Sequence, residues 1–212
     1  PLKEDLFSKS QFLWELAEGR WLQLTTNHRS DKQKFDFYSK IDVHGDKSLL
    51  SEYLEDARKH FPVTDRMAET QLVISHKARM KINTQMNRKT RSFRSDCLLV
   101  TAPSHCSSRN APQTMHVWSG MRLLGAGGSC PRGVFYYVND VCGTVVTLTD
   151  GQRLNVQQVA RCLRLSYAIT YASVQGLTLR GVVRLHTSDL FTARHLYVGS
   201  SRATSADLLE IQ

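Results

Sequence analysis

Two stretches, Tyr167–Leu179 (YAITYASVQGLTL) and His195–Ile211 (HLYVGSSRATSADLLEI), decide how this chain is read. The first opens with the run Tyr167-Ala168-Ile169-Thr170, expected to form a strand, and enters a turn of small and hydroxyl residues that ends in Gln175-Gly176. Glycine frees the backbone there, so amides and the hydroxyls of Thr170, Ser173 and Thr178 can come close to a phosphate. The second is expected to close a strand at Ser200-Ser201-Arg202-Ala203. That puts the Arg202 guanidinium at a strand-to-helix junction, a position from which it reaches across a cleft to a terminal phosphate.

Upstream, Gln71–Ser75 is a compact apolar run followed by a helical stretch from Lys77 to Asn87, the strand-turn-helix unit of an α/β sheet. Helices are also expected over Phe7–Leu16, with Ser8 or Ser10 as cap, over Phe35–Ile41, and over Ser48–Phe61, which stops at Pro62. Trp21, Leu22 and Leu24 alternate loosely, as a short strand would, before the polar stretch Thr25–Asp31. Between Arg91 and Leu165 the character changes. Short β-rich runs (Cys97–Thr101, Met121–Leu124, Val134–Val138, Gly143–Leu148) alternate with turns such as Gly125–Ser129 and Thr149-Asp150-Gly151. The pattern predicts an α/β fold carrying a small inserted β-barrel, with divisions at residues 1–90, 91–165 and 166–212. Strand character returns at Tyr167–Thr170, Gly181–Leu185, around Tyr197 and over Leu208–Ile211.

Composition narrows the function classes. The 212 residues suffice for one large domain or two small lobes, and a hydrophobic share of 41% is that of a globular chain. No apolar run approaches the ~20 residues of a membrane span. The net charge of +9 favours polyanionic partners, nucleic acid before membrane. Pro1 opens the chain without an initiator Met, so it reads as part of a longer one. Cys97, Cys106, Cys130, Cys142 and Cys162 are odd in number and lack a CxxC, which fits an intracellular, reducing compartment, with a nucleus or a viral replication site compatible. A zinc site from Cys97, His105, Cys106 and His116 is conceivable, but the spacing matches no paired-ligand knuckle.

The two opening stretches resemble motifs V and VI of superfamily 1 DNA helicases of the RecD/Pif type, and they are also similar to helicase subunits of large DNA virus replication complexes. Thr26–Ser30 (TNHRS) resembles motif IV, Leu72–Asn83 (LVISHKARMKIN) resembles the strand-helix step that follows, and Gly120–Val146 looks like the SH3-like barrel that this subgroup inserts before motif V. The resemblance implies a RecA-like parallel sheet flanked by helices, forming the C-terminal half of an ATP-dependent motor. It implies an arginine finger at Arg202, a second γ-phosphate contact at Arg29, and Gln175 and Gly176 at the nucleotide cleft. It also implies single-stranded DNA as partner, touched by Thr170 and Ser173. ATP and Mg²⁺ would be held mainly by an N-terminal RecA-like domain of the same protein, because no GxxxxGK[ST] and no acidic Walker B strand occur here. Other replication proteins are further expected partners. One departure stands out: Ala172-Ser173 stands where many Pif-type motifs have His-Lys, so an imidazole contact to DNA phosphate is lost or replaced.

The run Lys77, Arg79, Lys81, Arg88, Lys89, Arg91, Arg94 contains no acidic residue and suits either a solvated helix face or a phosphate track. Thr178, Lys77 and Arg79 therefore join the DNA-contact candidates, while His76 reads as a polar helix-start residue. Trp118, Phe135, Tyr136 and Tyr137 are read as barrel core before base-stacking groups. A second reading is a non-catalytic DNA- or partner-binding module on a degenerate RecA-like scaffold.

Overall fold

A computed structural model describes residues 10–20, 30–44, 48–103 and 111–212. Arg29, with most of the motif IV segment, and His105 and Cys106 lie outside the described residues. Helix α1 (Gln11–Leu16) starts at Ser10, whose Oγ accepts from Leu13 N at 3.3 Å. Its apolar residues do not reach the core: Phe12 and Leu16 are each 70% exposed.

Helix α2 (Lys32–Tyr38) is capped by Asp31 and helix α3 (Leu49–His60) ends on Arg58, Lys59 and His60, cations suited to a helix C-terminus. Strand β1 (Thr70–Val73) is buried throughout and leads through the cap Ser75 into α4 (His76–Arg91). With β9 (Ala168–Thr170), β10 (Val183–Leu185) and β11 (Leu209–Ile211) it forms a parallel sheet in the order β11-β10-β1-β9. Parallel neighbours need crossovers. Helix α4 lies on the connection from β1 to β9, and α6 (Ala193–Ser200) on that from β10 to β11. Phe37, Phe61, Leu72, Ile169, Val183, Leu185 and Leu196 pack together in the core around this sheet.

The β-rich insert occupies the connection between α4 and β9. Strands β2 (Leu98–Val100) and β3 (Met115–Val117) pair antiparallel. Strands β4 (Arg122–Gly125), β5 (Phe135–Cys142), β6 (Val145–Leu148), β7 (Arg153–Asn155) and β8 (Leu163–Leu165) form an antiparallel sheet in the order β7-β6-β5-β4-β8. Helix α5 (Val156–Cys162) sits between β7 and β8, started by a reciprocal cap between Asn155 and Gln158. Strands β3, β7 and β8 exceed the four β runs expected from the sequence; each is short, and tertiary pairing defines it. Trp118, Leu123, Val138, Val146, Leu148 and Leu163 fill a second core.

Two asparagines of α4 lock insert and sheet to the same helix. Asn83 Nδ2 donates to Leu165 O (3.3 Å) and Ala168 O (3.1 Å), while its Oδ1 accepts from Ala168 N (2.8 Å). One turn on, Asn87 makes the same two-way contact with His116 N and O, both at 2.8 Å. Each amide satisfies backbone groups at an otherwise open strand edge.

The second opening stretch differs from expectation. Residues around Tyr197 form α6, a helix and not a strand. Thr192 and His195 cap it reciprocally, and Leu196, Gly199 and Ser200 are its buried members, at spacings of three and four residues. Arg202 therefore stands just beyond a helix C-terminus.

Candidate functional site

The segment after β9 is a strap that touches two different places. Thr170 is buried, and its Oγ1 is 2.8 Å from Ser173 Oγ and accepts from Ser173 N, closing the first turn. Tyr171 and Val174 anchor the strap in the core, leaving Ser173, Gln175, Gly176 and Thr178 exposed. Gly176 takes φ +83° with open space where a Cβ would sit. Glycine is required there by backbone conformation and not by packing. Thr170 thus shapes the strap instead of presenting its hydroxyl outward.

On one side the strap borders a cavity of about 560 Å³ between α4, the insert and the sheet. Ser173, Gln175 and Leu177 line it together with His76, Arg79, Arg132 and Arg164, and among the described residues no carboxylate lines it. Backbone carbonyls hold the guanidiniums. Arg164 Nη1 donates to Leu163 O at 2.7 Å and to Ala160 O and Arg161 O at 3.0 Å, Arg132 Nε to Ala126 O at 3.1 Å, and Arg79 Nη2 to Ala111 O at 3.4 Å. Arg79 and Arg164 are 6% and 7% exposed. Burial, and then the charge of Arg164, depress the pKa of Arg79. An anion entering this cavity relieves that repulsion.

Arg79 was legible in the basic run, although as part of a surface face. Lys77 is exposed on α4 outside the cavity lining, as is Thr178 on the strap. Arg132 and Arg164 carry no sequence signal: one sits in a turn, the other in the apolar strand Leu163-Arg164-Leu165.

On its other side the strap meets Arg202. Leu179 N donates to Arg202 O at 2.9 Å, and Leu179 bridges Ala203 as a parallel partner. The Arg202 guanidinium, half-buried, donates to Ser201 Oγ through Nε (3.2 Å) and Nη2 (2.9 Å), and Nη1 lies 3.4 Å from Leu177 O. Leu177 therefore belongs to both places: its carbonyl receives Arg202 and it lines the basic cavity. Gln175-Gly176 and Arg202, remote in sequence, are neighbours through this joint.

Of the other sequence candidates, Trp118 is buried in the insert core, Tyr136 packs against that core, and Tyr137 is 48% exposed. Phe135 packs against the sheet core with the Arg122 guanidinium 4.7 Å from its ring centroid. Among the described residues no group of three or more His, Cys, Asp or Glu is arranged to hold a metal ion. Nor is any described helix long and apolar enough to cross a membrane.

A parallel sheet flanked by helices, with a β-rich excursion between α4 and β9, is a RecA-like α/β fold, and solved structures share it. No protein-family profile and no curated protein sequence matches the chain. Among solved structures, the Pif1 helicase from Candida albicans superposes with a TM-score of 0.57 at 15% identity, over 85% of this chain and 53% of that one. A Pif1 structure concerned with DNA unwinding at forked duplexes by two coordinating Pif1 helicases gives 0.60 at 17%, over 96% and 57%. Pif1 from Bacteroides in complex with ADP-AlF3 and ssDNA gives 0.56 at 17%, over 90% and 51%. The likeness is one of fold, and the chain spans about half the length of each of these proteins.

Proposed function

We propose that this chain is the C-terminal motor half of an ATP-dependent DNA helicase. The observation that carries the reading is the Leu177 joint, which connects the turn of Gln175 and Gly176 to the Arg202 guanidinium on one side and to an arginine-lined cavity on the other. In this reading Arg202, with Arg29, stabilises charge on a γ-phosphate presented by a second RecA-like domain. Gln175 and Gly176 form the turn between the nucleotide cleft and the DNA cavity, which Gln175 also lines. Ser173, Arg79, Arg132 and Arg164 receive phosphates of single-stranded DNA, with Lys77 and Thr178 flanking and Thr170 fixing the turn. A neighbour of this fold that carries ADP-AlF3 together with ssDNA supports the pairing of these two ligand classes.

The described residues offer guanidiniums and exposed turn amides toward a phosphate, but no clustered carboxylates for a cation. ATP and Mg²⁺ are accordingly assigned mainly to the partner domain, where the cation would neutralise phosphate charge. This chain's own part is to complete the cleft with Arg202 and to hold DNA. When the cleft closes, displacement of Arg202 passes through Leu177 to Ser173 and Gln175, which is how nucleotide state would change the grip. The insert is read as the SH3-like barrel of such motors, and the kinship with RecD-type and viral replicative helicases rests on the motifs alone. An intracellular, reducing setting fits the free thiols of Cys97, Cys130, Cys142 and Cys162.

Arg202→Ala in the natural full-length protein tests the reading. Expected is a loss of roughly 10³-fold in ssDNA-stimulated ATP turnover with ssDNA affinity retained. Turnover near wild type refutes the finger assignment.

A further inference from the structure

Lys34 on α2 is fully buried, and its Nζ donates to the backbone carbonyl of Ala203, the residue after Arg202. A buried ammonium is costly unless a fixed acceptor satisfies it. A methionine of similar length would fill the same space without that cost. The acceptor lies just past the C-terminus of α6, the end of a helix that favours a cation.

A second bond runs the same way. Asp31 Oδ1 accepts from Lys34 N at 2.8 Å, capping α2, while Asp31 Oδ2 accepts from Ala206 N. A third contact is aromatic: Tyr38 meets Tyr197 of α6 edge-on, ring centroids 5.8 Å apart. Helix α2 thus grips the turn 201–206 at Ala203 and Ala206, while the strap holds it through Leu179 and Leu177. Arg202 itself takes the strap's bonds, and Ala203, the next residue, takes that of Lys34.

We infer that Lys34, with Asp31, is a positioning residue for Arg202: it fixes the turn from which the guanidinium reaches, without touching the nucleotide itself. The inference rests on the proposed finger role of Arg202. Placement matters because a shift of about 1 Å in a reacting geometry is enough to cost on the order of a hundredfold in rate.

The test is a double-mutant cycle on ssDNA-stimulated ATP turnover, using Lys34→Met, Arg202→Ala and both together in the natural full-length protein. Lys34→Met is expected to lower kcat roughly tenfold with KM for ATP little changed, and to add nothing in the Arg202→Ala background. Asp31→Asn serves where Lys34→Met does not fold. It keeps a capping residue but leaves one oxygen for two donors, and a kcat loss of roughly threefold that vanishes in the Arg202→Ala background is expected. If Arg202→Ala alone leaves turnover unchanged, the motor reading fails and this inference with it. If Arg202→Ala slows turnover but Lys34→Met does not, or its factor persists in full beside Arg202→Ala, the motor reading stands and the positioning role is overturned.

Discussion

The basic cavity and the Arg202 turn are both arginine sites, yet they are built in opposite ways. The cavity gathers His76 and Arg79 from α4 and Arg132 and Arg164 from the insert, with no carboxylate among its described lining residues. Burial, and after it the charge of Arg164, depress the pKa of Arg79 there. The Arg202 turn holds one guanidinium, and its backbone is bonded at two successive carbonyls, Arg202 O to Leu179 N and Ala203 O to Lys34 Nζ. A cluster of repelling cations gains most when an anion arrives, which suits binding. A single guanidinium on a fixed turn suits charge that develops only in a transition state.

On this division, the largest effect on DNA binding comes from emptying the cavity of charge. Arg79→Gln with Arg164→Gln is expected to weaken ssDNA binding about a hundredfold near 0.1 M salt and to make the log-log salt dependence shallower by about 2. Fluorescence anisotropy across a salt series measures both, and an unchanged slope would mean that the cavity does not hold phosphates. Next in size is Gly199→Val. A Cβ there would lie 2.8 Å from Leu185 and 2.9 Å from Tyr171, so α6 and the turn behind it must shift. A loss of about 1–3 kcal/mol in stability is expected, with turnover suffering more than DNA affinity.

Gly176→Ala acts on the strap between the two sites. Its φ of +83° makes any side chain strained, although nothing crowds it. A loss of roughly 1 kcal/mol by urea denaturation is expected, and no loss would show that the strap relaxes freely.

Smallest is the effect of acid. Burial, then Arg194, depresses the pKa of His195, and burial, then Arg184, that of His186. His195 Nδ1 accepts from Thr192 N, a bond that protonation removes. A depressed histidine favours the neutral form in the folded state, so its contribution is whole above about pH 6.5 and is lost as pH falls below it. The melting temperature should therefore drop from pH 7.5 to 5.5, and His195→Gln should reduce that drop; a rise on acidification contradicts the sign.

Legibility in the sequence followed periodicity and local chemistry. The strand at β1, the helix α4 and the glycine turn after β9 were readable because an apolar run, a helical stretch after it and Gln175-Gly176 mark them within a few residues. Residues 195–200 misled because Leu196, Tyr197 and Val198 are consecutive apolar residues that suit a strand equally well. The deciding signal was Thr192 with His195, a weaker cap than the usual carboxylate or amide pair.

The site was legible as two motifs but not as one place. Nothing in the spacing of Gln175 and Arg202 says that Leu177 receives a guanidinium, or that Arg164, inside an apolar strand, lines a cavity with Arg79. Lys34 was invisible for the same reason. A lysine on a short polar helix reads as solvated, and only the packing of α2 on α6 buries it.

The most direct test is a double dissociation in the natural full-length protein, measuring ssDNA affinity and ssDNA-stimulated ATP turnover on Arg202→Ala and on Arg164→Gln. Turnover should collapse in Arg202→Ala with affinity within about threefold of wild type, while Arg164→Gln should lose about tenfold in affinity and recover most of its turnover at saturating DNA. Equal losses of both quantities in both variants would contradict the division of labour between the turn and the cavity.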